Sequence, residues 1–442
     1  MSKELALKIL DIAASKADAA EVIVDSGESS SVHFENNQLK YIDTRGILGV
    51  GVRVIHRGRI GFSGTTDLEE PGRVVQDAID SAAFGQEARF QFPAPQDHTA
   101  GPRVEIYDPA VLSFPIERRI EICKAAIARL LARDAKLDCA AGIDTSHSER
   151  HIANTSGLSI ALKGTDFDAG IYALRVGDDG SLTHMEDGNG SRRVLLQMDE
   201  HVDDVLKQIE LSQRVVPWKP GRMPVIFIPK AIGLLLATFT SNVNGKSLQK
   251  GASLLIGRLG EKILDERVTL WDDGLVDFAP ASLPFDGEGM PCRKMPLFEA
   301  GVFKNFIFDL QTAGITGNAP TGNASRSFAS QPGPGCHNIR LAPGDTPCAD
   351  MLADIKQGLI VYQVLGGGQS NVLAGEFSVN VELGFLVENG RIVGRVKDAM
   401  LAGNAFDAFK NIAAISRETE WRGSVELPYV CFKELSVVGA QQ

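Results

Sequence analysis

Histidines are the first residues to consider for catalysis or metal binding, and only two of the eight lie close together, in His147-Ser-Glu-Arg-His151. On a helix, residues four apart stand about 5–6 Å from each other and can share a metal ion. On a strand they stand ~13 Å apart, from a rise of ~3.3 Å per residue. The segment 152–157 that follows is typical of a strand and a hairpin turn. The spacing therefore predicts two solvated polar residues at a strand entrance.

Two further groups of residues carry chemistry but have simpler explanations. Cys336-His337 follows Pro332-Gly-Pro-Gly335 directly, and adjacent side chains on an extended chain point apart. We therefore expect a loop cysteine without a catalytic role. Asp286-Gly-Glu288 offers two carboxylates, but an acidic turn is the usual reason for such a triplet. A relocated metal site that uses His147, His151 or Cys336 remains an open alternative.

Glycine-rich segments resemble phosphate-binding loops only superficially. Neither Gly46-Ile-Leu-Gly-Val-Gly51 nor Gly366-Gly-Gly368 has the dinucleotide or P-loop spacing, and no Lys-Ser/Thr pair closes either one. Glycines on a strand more often permit a bulge or the close approach of another backbone. The residues alone thus predict no catalytic residue, no metal ligand and no cofactor.

The overall charge and the cysteines limit the partners and the compartment. With 45 Lys and Arg against 56 Asp and Glu, the formal net charge is −11, which argues against a nucleic acid or an anionic membrane as partner. The most apolar stretch, Ala231 to Phe239, is about half the ~20 residues needed to span a bilayer. The six cysteines form no CxxC pair, and Met1-Ser2-Lys3-Glu4 does not begin a signal peptide. We expect a cytoplasmic protein with buried or idle thiols.

The elements that position these residues indicate an α+β protein of two domains. Apolar periodicity predicts helices over 3–16, near 69–84 and over 116–133, with short strands at 21–24, 31–35, 50–54 and 60–63. Two prolines and a glycine interrupt the pattern in 215–221, where we place the domain boundary. The prediction is an N-terminal domain of helices packed on a mixed or antiparallel sheet, 1–215. A largely antiparallel β domain with a few helices, including one over 231–242, follows in 222–442.

Short sequence phrases spread over nearly the whole chain carry a family resemblance. In the first half they are Phe34-Glu-Asn-Asn-Gln-Leu-Lys40, Gly49-Val-Gly-Val-Arg-Val54 and Gly61-Phe-Ser63. In the second half they are Gly251 to Glu261, Val268-Thr-Leu-Trp-Asp-Asp-Gly274, Phe285-Asp-Gly-Glu-Gly289, Thr321-Gly-Asn-Ala324, Gly366-Gly-Gly368, Ala374-Gly-Glu-Phe-Ser378, Glu388-Asn-Gly390 and Ala402-Gly-Asn404. Their order and spacing are similar to those of the TldD/PmbA family, also known as modulator of DNA gyrase, and the chain is identified as a member.

The resemblance also implies a branch of this family. TldD-like subunits carry a His-Glu-x-x-x-His motif on the first helix of the C-terminal domain, completed by a later cysteine, and bind a catalytic metal. In this sequence the two histidines and the glutamate of that motif correspond to Leu236, Ser241 and Ala237, and the cysteine corresponds to Arg422. These residues lack the donor atoms that zinc requires. The resemblance thus implies the PmbA branch, also called TldE, and Cys431 is expected in the core.

The resemblance further implies a function. PmbA/TldE-like chains resemble the non-catalytic subunit of a TldD/TldE-type metalloprotease that acts on peptides or small unfolded proteins. The implied partner is a TldD-like metal-binding subunit, and the chain would be inactive alone. A homodimeric peptide-binding scaffold without proteolytic activity is the alternative. An extended peptide could add as a strand to a sheet edge, and Thr321, Gly322 and Asn323 are the candidates for lining such a cleft.

Overall fold

The chain folds into an α+β structure that contains two large sheets, as the sequence predicts. A computed structural model describes residues 2–95, 101–177, 180–367 and 370–439. Gly368, the last residue of the phrase Gly366-Gly-Gly368, lies outside the described residues. No helix in the described ranges is long and apolar enough to cross a membrane.

The N-terminal half is built on a six-stranded, wholly antiparallel sheet with the order β3-β2-β1-β4-β5-β6. Its strands are β1 (Ala19–Glu35), β2 (Gln38–His56), β3 (Arg59–Thr65), β4 (Asp138–Asn154), β5 (Ser159–Val176) and β6 (Leu182–Ser191). The strands predicted at 21–24 and 31–35 are confirmed, but they are parts of one continuous strand, β1, and their separation is wrong. The middle of β1, Ser26–Ser31, is polar. An alternation of apolar residues therefore predicts only the two ends of the strand.

Helices cover this sheet in two groups. The helices of this half are α1 (Ser2–Ala14), α2 (Pro71–Ala82), α3 (Pro109–Leu112), α4 (Ile116–Arg133) and α5 (Met198–Leu211). α1 and α2 pack on β1 to β3, and α4 and α5 pack on β4 to β6. The predicted helix over 116–133 is confirmed, because Cys123, Ile127 and Leu130 recur at helical spacing and bury one face.

The C-terminal half contains an eleven-stranded sheet and a two-stranded one. Its strands are β7 (Gly221–Phe227), β8 (Leu270–Asp273), β9 (Lys294–Glu299), β10 (Val302–Phe303), β11 (Ala324–Ser325), β12 (Gly333–Pro334), β13 (Asn338–Leu341), β14 (Gln357–Leu365), β15 (Glu376–Glu388), β16 (Arg391–Arg395), β17 (Ala399–Asn404), β18 (Ile412–Arg422) and β19 (Val425–Gly439). β19 pairs with both β17 and β7, so β7, β14, β15, β17 and β19 form a closed ring. The division into domains at 215–221 lies between the two large sheets and stays a prediction.

The first helix of this half is buried against the ring of strands. The helices are α6 (Pro229–Asn242), α7 (Gly245–Gln249), α8 (Leu310–Thr316), α9 (Cys348–Ala353) and α10 (Ala405–Ala408). α6 begins with Pro229, whose fixed φ suits a first turn, and is apolar on nearly all sides. Its Phe239 is fully buried, with the rings of Phe298, Phe406 and Phe409 at 5.6, 5.2 and 4.9 Å. α6 is therefore a core helix.

Glycines in the N-terminal sheet allow a loop of the C-terminal half to pack on its backbone. A Cβ atom at Gly49 would lie 2.5 Å from the ring of Phe328, and one at Gly51 would lie 2.4 Å from the Phe328 carbonyl oxygen. Gly64 on β3 meets the same oxygen at 2.5 Å. The prediction that the glycines of 46–51 permit a close approach is confirmed for Gly49 and Gly51, and the approaching groups are the ring and the backbone of Phe328.

A buried ion network joins the same two halves. Arg53 lies 2.6 Å from Glu288 and 3.1 Å from Glu21, and Arg326 bonds Glu21 as well. Both arginine side chains and both carboxylates are at most 2 % exposed. Burial lowers the pKa of Arg53, but Glu21 and Glu288 outweigh it and the pKa is raised. Two residues of this network come from each half, so it fixes how the halves dock.

Candidate functional site

The positions that the resemblance assigns to metal ligands do not form a metal site. Leu236 on α6 is 2 % exposed and belongs to the core, and the side chain of Ala237 has no donor atom. Ser241, half-buried in the last turn of α6, offers one hydroxyl. Within the described part of the chain, no group of three or more His, Cys, Asp or Glu is arranged to hold a metal ion. The residues present therefore do not fit the catalytic metal of the TldD-like branch.

Arg422, the last residue of β18, lies among carboxylates from both halves of the chain. Its Nη1 donates to Asp187 on β6 at 2.5 Å, and its Nη2 donates to Glu420 at 2.7 Å and lies 3.9 Å from Asp204 on α5. The other carboxylate oxygen of Asp187 is 2.6 Å from His201 Nδ1. We call these five residues the Arg422 cluster. A guanidinium at this centre holds carboxylates in place and would repel a second cation.

The charges of the Arg422 cluster shift the pKa values of its members. Burial lowers the pKa of Arg422, but Asp187 and Glu420 outweigh burial, so the pKa is raised and the cation is permanent. Burial raises the pKa of Asp204, and the neighbouring Asp187 and Glu420 raise it further. Tyr429 on β19 donates to Glu420 at 2.7 Å, and burial followed by that carboxylate raises the pKa of its phenol. The cluster provides a fixed positive charge among acidic side chains.

Two cavities flank the Arg422 cluster and share Asp187 and Arg422. One of ≈ 440 Å³ lies between β6, α5 and the end of β18 and is lined by Phe278 and Trp421 among others. The other, of ≈ 570 Å³, crosses the face of β4, β5 and β6 and reaches Lys230. We call the two together the Arg422 groove. Gly142, Gly170 and Gly188 line its larger part, so an extended chain could approach the sheet closely there.

The outer edge of β6 beside this groove is occupied by side chains. The carbonyl oxygen of Glu186 accepts from Lys230 at 3.1 Å and from Gln208 at 3.2 Å. The carbonyl oxygen of Gly188 accepts from Arg422 at 3.4 Å. These contacts satisfy backbone acceptors that a pairing strand would otherwise use. The groove therefore favours a ligand that crosses the strands over one that pairs with β6.

The predicted cleft residues Thr321, Gly322 and Asn323 lie elsewhere, under the C-terminal sheet. Thr321 is 8 % exposed and exchanges hydrogen bonds with the backbone of Phe308 at 2.7 and 3.1 Å. Gly322 has φ +76°, and a Cβ there would lie 2.2 Å from the Pro291 carbonyl oxygen. Asn323 is 2 % exposed. The side chains of Thr321 and Asn323 bond other parts of the fold, and the role of the three residues in binding a peptide stays a prediction.

Asn323 belongs to a buried group that sequence reasoning missed. Cys292 Sγ lies 3.3 Å from His337 Nε2, and His337 Nδ1 lies 3.0 Å from Asp272 Oδ2, which also accepts from Asn323 at 2.6 Å. This is the order of groups in a cysteine–histidine–aspartate triad. Cys292 is only 2 % exposed, and burial raises the pKa of its thiol strongly. The thiol therefore stays protonated and shielded, and the group acts as an internal hydrogen-bond network.

The histidines and acidic residues singled out from the sequence have separate positions. His147 and His151 lie four residues apart on β4, so they do not share a metal. The prediction that both are solvated is wrong for His151, which is 3 % exposed and bonded to Ser159 at 3.1 Å. The acidic turn is confirmed, because Asp286 accepts from the backbone of Glu288 at 2.8 Å.

The cysteines agree largely with the expectation of buried thiols. All six are free, and the four that are buried are Cys123, Cys139, Cys292 and Cys431. Cys431 lies on β19 and is 4 % exposed, so its place in the core is confirmed. Cys336 is half-buried and lies next to His337, but the partner of that histidine is Cys292, 45 residues away in sequence.

Three family models match the chain in succession. They describe PmbA/TldA metallopeptidase domain 1 over residues 20–83, the central domain over 109–214 and the C-terminal domain over 220–439. The chain is 26% identical to the metalloprotease PmbA of Escherichia coli O157:H7 over 443 residues, which covers 97% of this chain and 94% of that one. It is 25% identical to the metalloprotease TldD homolog of Haemophilus influenzae, covering 95% and 90% of the two chains. The crystal structure of TldE from Thermococcus kodakarensis superposes with a TM-score of 0.89 at 24% identity, covering 98% and 100%.

Proposed function

The chain belongs to the PmbA/TldD metallopeptidase family, and we propose that it acts as the non-catalytic, PmbA/TldE-like subunit of a TldD/TldE-type peptidase complex. In this proposal a TldD-like partner supplies the metal and the reacting water in the cytoplasm. The substrates are peptides or small unfolded proteins. This chain supplies part of the surface that holds them.

Identity to relatives does not decide between the two branches, because a PmbA and a TldD homolog are 26% and 25% identical to the chain. The observation that carries the proposal is the chemistry at the ligand positions. Leu236 lies in the core, and Arg422 bonds Asp187 and Glu420. A hydrocarbon cannot ligate a metal, and a fixed guanidinium repels one. A chain with these residues needs a partner in order to hydrolyse a peptide by metal catalysis.

The Arg422 groove is the proposed place for the peptide on this chain. Its larger cavity of ≈ 570 Å³ is lined by glycines on three neighbouring strands and by the cations Lys230 and Arg422. Glycines admit a peptide backbone at close range. Four carboxylates (Asp144, Asp168, Glu186 and Asp187) outnumber the two cations in the same lining, so the groove suits the amide backbone or the amino group of a peptide better than its C-terminal carboxylate. This combination is tolerant of peptide sequence, as a subunit that handles varied unfolded segments requires.

The test is co-expression of the full chain with a TldD-like subunit from the same source. We expect a complex by light scattering, and cleavage of an unstructured peptide, followed by mass spectrometry, only when both chains are present. Replacing the motif glutamate of the TldD-like subunit should abolish cleavage, whereas Ser241→Ala in this chain should leave it unchanged. Cleavage by the isolated chain, or loss of cleavage in S241A, contradicts the proposal. A stable homodimer that ignores the TldD-like subunit favours the scaffold alternative.

A further inference from the structure

The outer edge of β2 is open along half of its length. β3 pairs with β2 only from Val50 to His56, and within the described ranges no strand pairs with that edge from Gln38 to Gly49. A long unpaired edge is a template for another strand, and proteins normally shorten it, interrupt it with proline or cover it. The segment contains no proline, and a single irregularity in its pairing with β1 lies next to Lys40. The open edge therefore extends over residues 41–49.

The ladder determines which backbone groups point to this edge. The carbonyl oxygen of Ile55 accepts from the Asp18 N–H, on the β1 side of the strand. Pairing between β1 and β2 continues without a shift from Ile55 to Ile42. Because backbone groups alternate sides along an antiparallel strand, odd-numbered residues bond β1 and even-numbered ones point outward. Ile42, Thr44, Gly46 and Leu48 thus present their N–H and C=O groups to the open edge.

The side chains along this edge are unusually apolar for an exposed strand. Leu39, Tyr41, Ile42 and Ile47 are 41%, 46%, 45% and 52% exposed. Apolar side chains that cluster on an unpaired edge mark an interaction surface. The charged residues among them are Lys40, Asp43 and Arg45, and Arg45 Nε donates to Asp43 at 2.5 Å.

We propose that the open edge of β2 pairs antiparallel with the same edge of a second copy of this chain, with Thr44 on the twofold axis. An isologous contact requires that each residue meet its counterpart about one centre. With Thr44 at the centre, Asp43 faces Arg45 of the second copy and Arg45 faces its Asp43. Tyr41 faces Ile47, and Ile42 faces Gly46. Thr44 exchanges two backbone hydrogen bonds with its counterpart, and a continuous twelve-stranded sheet results.

The charges select this register over its neighbours. The axis can pass through an outward-pointing residue, which forms a hydrogen-bonded pair with its counterpart, or through an inward-pointing residue, which forms a non-hydrogen-bonded pair. A centre at Asp43 or at Arg45 places like charges opposite each other, which destabilises the pairing. A centre at Ile42 places Asp43 against Tyr41, and a centre at Gly46 places Arg45 against Ile47, which leaves each charge opposite an apolar side chain. Opposite charges on facing positions stabilise a strand pair. The edge is therefore complementary to itself in one register, which is the reason to identify the occupant as a second copy.

Cysteine cross-linking of the full chain tests the register. Two Thr44→Cys residues on the axis would have Cα atoms ~5.5 Å apart, within the reach of a disulfide. In the matched variant Ile42→Cys the two residues would be ~13 Å apart, beyond that reach. We expect T44C to give a covalent dimer under oxidising conditions, linked at position 44 by peptide mapping, and I42C to give no more dimer than the parent chain. Cross-linking of I42C as fast as of T44C overturns the proposal.

Charge exchange provides an independent measurement. Asp43→Arg places like charges opposite each other at two symmetry-related positions and should weaken dimerisation about tenfold or more in Kd, measured by sedimentation. The double variant D43R/R45D restores the opposite charges and should recover the parent Kd. A parent chain that stays monomeric overturns the proposal, and so does a double variant that dimerises as weakly as D43R. The proposal is also overturned if only a TldD-like subunit protects the amides of the open edge from hydrogen exchange. These measurements need no proteolysis, so their failure is distinct from failure of the proposed function.

Discussion

Replacing Arg422 by methionine is the sharpest test of the candidate site, because it removes the cation and retains most of the side-chain volume. In the folded chain Arg422 bonds Asp187 at 2.5 Å and Glu420 at 2.7 Å. The side chains of Arg422, Asp187 and Glu420 are 17%, 5% and 32% exposed. The variant leaves two carboxylates close together without the cation that joins them.

The expected loss of stability follows from these exposures. Removing one partner of a fully buried ion pair costs about 3–5 kcal/mol, and partial exposure of Glu420 reduces this figure because water screens its charge. We expect R422M to lower the free energy of unfolding by about 2–4 kcal/mol. For a folding unit of about 200 residues this corresponds to a fall in the melting temperature of roughly 4–16 °C.

The assay is thermal unfolding of the full chain, with Arg417→Met as the matched control. Arg417 lies on the same strand, β18, but its side chain is exposed and donates to the backbone carbonyl oxygen of Asp345 at 3.2 Å. We expect R417M to change stability by no more than about 0.5 kcal/mol. Asp187→Asn combined with R422M removes both charges, so the double variant should be more stable than the sum of the single effects predicts, by about 1–3 kcal/mol.

Two outcomes would refute this reasoning. If R422M were no less stable than R417M, the guanidinium would not be required to balance the carboxylates. If the effects of D187N and R422M simply added, the contact across the two halves would carry no energy of its own. Either result would remove the physical basis for regarding Arg422 as a built-in cation.

Two further predictions concern the contacts between the halves. Burial holds the pKa of Glu288 above its unfolded value of 4.5 even though Arg53 lowers it, so this carboxyl binds its proton more firmly in the folded chain. The stability that this carboxyl contributes is therefore present below pH 4.5 and is lost as the pH rises through the raised pKa. The variant Glu288→Gln should flatten that part of a series of melting curves recorded at different pH values. An unchanged series contradicts the raised pKa of Glu288. Gly51→Ala forces a methyl group against the Phe328 carbonyl oxygen and should lower the free energy of unfolding by about 1–3 kcal/mol. In the control Gly46→Ala the new Cβ meets nothing nearer than 3.9 Å, so the melting temperature should hardly change.

Periodicity recovered the elements whose stability is local. The helix over 116–133 has a regular apolar stripe, and the turn at Arg57-Gly58 has two residues with positive φ, as a tight hairpin requires. Both features depend on a few consecutive residues. The long strand β1 was divided in two because its middle is polar and is held by two neighbouring strands over its whole length. One of these neighbours, β4, lies more than a hundred positions away in sequence.

The candidate site also has a part that the sequence predicts and a part that it does not. The resemblance identified Leu236 and Arg422 from their order along the chain, but not what Arg422 contacts. Asp187 lies 235 residues before Arg422, and Glu288 lies 235 residues after Arg53. Arg53 alternates with three valines, which on a strand indicates a solvated face, and it is nevertheless 2 % exposed. Only the docking of the C-terminal half on that face buries it, so no local pattern could have predicted the network.

A guanidinium at the centre of the Arg422 cluster keeps its carboxylates together. Carboxylates that converge on one point repel each other unless a cation lies among them. Arg422 provides that cation permanently, through a covalently attached group whose charge does not depend on pH in the physiological range. A peptidase fold that exchanged a bound ion for an arginine would keep the geometry of its groove and lose the ability to activate water. In the proposed complex, metal supply should then affect cleavage only through the TldD-like subunit. The melting temperature of this chain alone should not respond to zinc or to chelators.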